Sequence, residues 1–177
     1  MATANTFVQI GSTVTVGSGG AATINFTNIP STYTDLVVKC SMRTDYTSSS
    51  YGYVDMKFNG SAASFTSVRL LGYSTAANSS SATQFSVLQD SDSATASIFA
   101  NMEIYIPNYS GSSYKSISVD GVTENNLGTA EAAFCALMAG LWSSTSAINQ
   151  LTFSPWSGYG TNFKQYSTAS LYGILKY

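Results

Sequence analysis

The strongest regularity in the chain is a period of two. Leu36, Val38, Cys40 and Met42 alternate with Val37, Lys39, Ser41 and Arg43. Successive side chains of a strand point to opposite faces, so this spacing puts the first four on one face. Val54, Met56 and Phe58 alternate in the same way with Tyr53, Asp55 and Lys57. Ile98, Ala100, Met102, Ile104 and Ile106 form a longer inward row, with Asn101 and Glu103 facing out. Ile117 and Val119 alternate with Ser116, Ser118 and Asp120, and runs at 148–153 and 169–174 complete the series. The inward rows predict a core of Leu36, Val38, Met42, Val54, Met56, Phe58, Ile104, Ile106, Ile117, Val119, Phe153 and Ile174.

The gaps between these runs are turn material: GSGG at 17–20, TSSSYG at 47–52, NSSS at 78–81 and SGSS at 110–113. Pro30 and Pro107 sit at strand ends, where proline removes no needed ladder donor. The segment 130–142, AEAAFCALMAGLW, is rich in helix formers and admits a short helix. As a strand it is apolar on both faces, with Phe134, Met138 and Trp142 on one and Cys135, Leu137 and Leu141 on the other. A central strand, or one covered by a neighbouring subunit, has this pattern. The strand-like flanks favour the strand. Short, even spacing predicts about nine or ten strands and at most one short helix. The expected fold is an all-β antiparallel β-sandwich, jelly-roll-like, forming a single domain over 1–177, with 1–20 as an N-terminal arm or edge strand.

Composition narrows the function. Charged residues make up only 9% of the chain, against about 25% in ordinary soluble domains. Polarity comes instead from 30 Ser and 20 Thr. Such a surface suits a protein held in an assembly, or one that works in salty surroundings where charges are screened. The net charge is −2 and no basic run occurs, which argues against nucleic acid as a partner. No stretch reaches the roughly 18 to 20 apolar residues of a membrane helix, so no membrane partner is expected. The opening MATANTFVQIG lacks the charged and apolar regions of a secretory signal, so assembly in the cytoplasm is expected. Cys40 and Cys135 each lie among apolar residues and are expected to be free and buried. The sequons at Asn25, Asn59, Asn78 and Asn108 are expected by chance in so Ser/Thr-rich a chain.

Candidate chemistry is sparse. The absence of histidine removes Ser-His-Asp and Cys-His catalysis and His-ligated zinc. Glu103 and Glu124 are the best available acids for cutting a glycosidic bond, which needs two carboxyl groups about 5 to 9.5 Å apart across a cleft. Both also fit solvated strand faces and turns, and no enzymatic activity and no cofactor are expected. Asp90 and Asp92 in QDSDS resemble a fragment of a calcium loop without its closing Glu, and read as a polar turn. GSGG at 17–20 lacks the Lys-Ser/Thr of a phosphate loop and reads as a hairpin turn. Among twelve tyrosines, Tyr46, Tyr51, Tyr53, Tyr109 and Tyr114, with Tyr73 and Tyr105, lie near turns or on polar faces. They fit sandwich edges, a protein interface or a glycan-stacking site, since Tyr covers much area at low rotamer cost.

Several segments together resemble a family of small virion proteins of marine and cyanobacterial tailed phages. They are FTNIPSTYTDLVVKCSMRTD at 26–45, IYIPNYSGSSYKSISVDGVTENN at 104–126, GLWSSTSAINQLTFSP at 140–155 and FKQYSTASLYGILKY at 163–177, with the opening VQIGSTVTVGSGGAATINF. The resemblance implies a capsid decoration (cement) protein or a tail-fibre component and supplies no catalytic residues. The resulting expectation is a structural protein, assembled in the host cytoplasm and displayed on the particle exterior. Its expected partners are the major capsid protein and copies of itself, as a homotrimer. The alternative is a tail fibre or knob that binds a host surface receptor or glycan.

Overall fold

The computed structural model describes residues 6–73, 76–124 and 133–175, without the side chain of Glu124. The described residues hold twelve strands and no helix. In chain order they are β1 (Phe7–Thr15), β2 (Ile24–Phe26), β3 (Asp35–Met42), β4 (Tyr51–Phe58), β5 (Phe65–Tyr73), β6 (Ala76–Ala82), β7 (Ser86–Asp90), β8 (Ala100–Pro107), β9 (Lys115–Glu124), β10 (Ala133–Trp142), β11 (Leu151–Pro155) and β12 (Thr168–Ile174). Every paired strand is antiparallel. They form an eight-stranded sheet, β1-β12-β3-β8-β9-β10-β5-β6, and a four-stranded sheet, β2-β11-β4-β7.

The fold is therefore the antiparallel β-sandwich that the period-two pattern predicts. The strands outnumber the nine or ten expected because β2 is only three residues long and hydroxyl-rich β6 carries no apolar alternation to mark it. They divide unequally, eight against four, whereas an eight-stranded jelly roll is built from two Greek keys. The segment expected as strand or short helix is strand from Ala133 onward, and 130–132 lie outside the described residues. NSSS at 78–81, expected as a turn, lies inside β6. Residues 7–15, within the expected arm, form an edge strand of the chain's own sheet, and residues 1–5 lie outside the described set.

The inward rows meet between the sheets. Leu36, Val38 and Met42 from β3, Ile104 and Ile106 from β8, and Ile117 and Val119 from β9 face Val54, Met56 and Phe58 from β4 and Phe153 from β11. Each is at most 2% exposed, so one apolar core unites the two sheets. Two residues expected to face inward, Ile98 of the β8 row and Ile174 of the predicted core, depart from the pattern. Ile98 lies in the turn before β8, half-buried. Ile174 is also only half-buried, because Leu171 and Gly173 take the inward places of β12 and Tyr33 lies against Gly173. A second, smaller core forms where the far end of the large sheet folds around the small one. Val54 and Val87, paired across β4 and β7, face the main core. Their neighbours Tyr53 and Leu88, also paired, pack on Leu71, Phe134 and Ala136. The β4–β7 pair is thus covered on both sides. Close packing here uses Gly140, where an added methyl would come within 2.2 Å of the Phe85 ring.

Candidate interaction surface

The outer face of the eight-stranded sheet is open and divides into a polar and an apolar half. On β10 the side chains of Phe134, Ala136, Met138 and Trp142 are buried, and those of Cys135, Leu137, Ala139 and Leu141 are exposed. Pairing continues this stripe sideways. Leu137 lies opposite Leu70, Ala139 opposite Val68, and Cys135 opposite Val122. Leu137 is 59% exposed, Val68 57% and Leu70 50%. Five large apolar side chains, the others being Val122 and Leu141, thus share one face. A contiguous apolar patch of this kind marks a contact surface on a folded protein. The two-sided apolarity read at 130–142 has this physical form: one face enters the core and the other enters solvent.

Toward β3 the same face becomes polar. One row across the sheet runs Ser170, Lys39, Glu103, Asp120 and then Leu137. Lys39 Nζ lies 2.9 Å from Glu103 Oε2, both groups about half exposed. The hydrogen bond and the charge of Glu103 raise the Lys39 amine above its ordinary pKa. The carboxylate directly opposite Glu103 is Asp120. This acid pair lies on an open sheet surface and carries one compensating cation. Glu124 sits at the end of β9, and its side chain lies outside the described residues. Asp90, read as part of a polar turn, is buried at the end of β7, and Asp92 pairs with Lys164 at 3.0 Å. Among the described residues, no group of three or more His, Cys, Asp or Glu gathers to hold a metal ion.

The candidate tyrosines do not form one surface. Tyr109 is fully buried, and its hydroxyl donates to the Pro30 carbonyl; it belongs to the core, not to an interface. Its place beside a turn in sequence hid the fact that its ring points between the sheets. Tyr53 is also nearly buried, with Arg69 4.8 Å above its ring. Burial raises the Tyr53 hydroxyl above its ordinary pKa, partly offset by the Arg69 charge. Tyr51 is half-buried against Phe134 at 4.6 Å. Tyr46 is half-buried against Tyr159 at 5.0 Å. Trp156 and Tyr159 stack at 5.2 Å and 7°, and both contact Tyr53. Tyr46, Tyr51 and Tyr53 therefore lie in one aromatic cluster that Trp156 and Tyr159 complete. Neither of these two was singled out from sequence, although PWSGY at 155–159 is a compact turn with two rings. Tyr114 is exposed just before β9, and among the described residues it enters no such ring contact.

The cysteines also separate. Cys40 is buried, and burial pushes its thiol well above the ordinary range. Cys135 is free but exposed on the apolar stripe, contrary to the expected burial, because β10 turns only its even-numbered residues inward. The hidden polar groups are structural. The Arg43 guanidinium donates to the carbonyls of Ala94, Thr95 and Ile98, at 2.7 to 3.0 Å, and pins the loop before β8. Lys115 is fully buried, with Nζ donating to Gly111 and Ser113 carbonyls at 2.6 and 2.7 Å. Compared with known proteins, the chain matches no family model, and no curated protein and no solved structure is detectably similar to it.

Proposed function

We propose that the chain is a structural protein of a tailed-phage particle, displayed on its exterior as a capsid decoration protein. Its apolar stripe rests on the shell formed by the major capsid protein, and copies of the chain assemble beside one another. The observation that carries this reading is the stripe itself, Val68, Leu70, Val122, Leu137 and Leu141 on an open sheet face. Covering each half-exposed Leu or Val yields about 1 kcal/mol, so a single contact is modest. A lattice repeats it many times, and repetition converts modest contacts into firm attachment. The low charge of the chain supports the reading, because copies pack closely without like-charge repulsion. Copy number is the decisive measurement. Quantitative mass spectrometry of particles should find on the order of hundreds of copies, as a lattice requires, and Leu137→Glu should release the protein while its circular dichroism spectrum stays unchanged. A few dozen copies or fewer would sink the proposal.

The second reading is a fibre or knob that binds a host receptor or glycan. It is favoured by the stacked Trp156–Tyr159 pair beside Tyr46, which offers a half-exposed aromatic platform. Binding of the purified protein to host cells, lost in Trp156→Ala and kept in Leu137→Glu, would establish it in place of decoration.

A further inference from the structure

The end of the large sheet carries an unusual strand. All seven residues of β6 are exposed, on both faces, and among the described residues only β5 pairs with them. The β5–β6 ladder runs from Ser67–Ala82 to Tyr73–Ala76 without a shift. A straight edge of this kind offers a row of backbone donors and acceptors to another strand. The usual protections are missing: AANSSSA has no charge, no proline and no bulge. The other strand ends of the sandwich are guarded. β1 is broken by a shift between Ile10 and Val14, with Gly11 at φ 70°. In the small sheet, β2 has three residues and β7 is buried throughout.

The sequence of β6 identifies the partner that fits. Laid antiparallel on its own copy about Ser79, Ala76 meets Ala82, Ala77 meets Ser81, Asn78 meets Ser80, and Ser79 meets itself. Every pair is small and uncharged; Asn78 Nδ2 donates to the Tyr73 hydroxyl at 2.6 Å, which leaves its Oδ1 to accept from the Ser80 hydroxyl that faces it in the copy. The nearest cation does not disturb this match, because Arg69 is engaged by Ser80 at 2.7 Å and by the Tyr53 ring. We infer that two copies of the chain pair through β6 about a twofold axis, joining their large sheets into one. An antiparallel pair keeps each face on its own side. The apolar stripes of both copies therefore look the same way, and the dimer meets a flat partner with two stripes rather than one. The self-pairing stands on the edge alone; only its use as a two-point attachment rests on the decoration reading.

The strand is a smaller contact than the roughly 800 Å² per partner of a standard interface, so the dimer is expected to be weak, with a dissociation constant on the order of 10 µM. Sedimentation equilibrium of the purified full chain tests this without any particle. The wild-type chain should be dimeric at about 100 µM, and Ser79→Lys and Ser79→Glu, which place like charges opposite one another, should each weaken the dimer about tenfold or more. Mixing the two variants should restore a dimer, which also shows that each one folds. Leu137→Glu should leave dimerisation unchanged. A monomer at about 1 mM, a trimer indifferent to Ser79, no recovery on mixing, or loss of the dimer in Leu137→Glu would each overturn the inference.

Discussion

At the scale of single residues, burial sets the chemistry. Cys40 and Cys135 have the same side chain on one sheet, with β8 and β9 between their strands, yet one is enclosed and the other faces solvent. Iodoacetamide should therefore label the native protein once, at Cys135, and twice in denaturant, as read by mass spectrometry. Asp45 gives a pH-dependent contribution. Burial pushes its carboxyl up, but hydrogen bonds from Asn162 and Thr161, including both backbone N–H groups, outweigh this and hold it below the ordinary carboxylate value. Its stabilising contribution is present above the unfolded carboxylate range and is lost as pH falls below about 4. Asp45→Asn should cost about 1 to 2 kcal/mol at neutral pH and flatten the acid limb of the stability curve. Some of these details were legible. The inward aim of Lys115 follows the same period as Ile117 and Val119, but a charge argues against burial until its two carbonyl partners are known. Tyr109 was not legible, because its partner at Pro30 is far away in sequence.

At the scale of elements, alternation succeeds where one face is apolar and fails where the pattern inverts. β3, β4, β8 and β9 show inward rows that match the core. In β5 the polar residues Ser67 and Arg69 point toward the small sheet, and Val68 and Leu70 point to solvent. Period alone fixes that these residues lie on opposite faces. It does not say which face is covered, and that depends on how the sheet's end folds over. β6 gave no signal because Ser, Ala and Asn carry no apolar rhythm; only pairing to β5 makes it a strand. The loop before β8 depends on a single residue in β3's extension. Replacing Arg43 by Ala would take its donors from three carbonyls, of which Thr95 keeps a 3.4 Å bond from the Ile98 N–H, and this should cost about 2 to 3 kcal/mol in urea unfolding. Arg43→Lys should recover only part of that, since an ammonium cannot reach three carbonyls in the same fork.

At the scale of the molecule, stability rests on apolar packing and hydroxyl hydrogen bonds. The described residues contain three ion pairs, and all but the Arg43–Asp92 contact at 3.6 Å involve two substantially exposed groups. Exposed pairs contribute little and are screened by salt. The melting temperature should therefore move by less than about 3 °C between low salt and about 1 M sodium chloride. The order of the large sheet also governs when the fold can be completed. Among the described residues, β1 has no strand partner but β12, the last strand in chain order, with Phe7 opposite Ile174. β12 also fills the place between β1 and β3. During synthesis β1 must wait for this partner until β12 has left the ribosome. Closure of the sheet over so long a loop makes folding slow. The newborn chain thus passes through a period in which this border of its sheet is still missing.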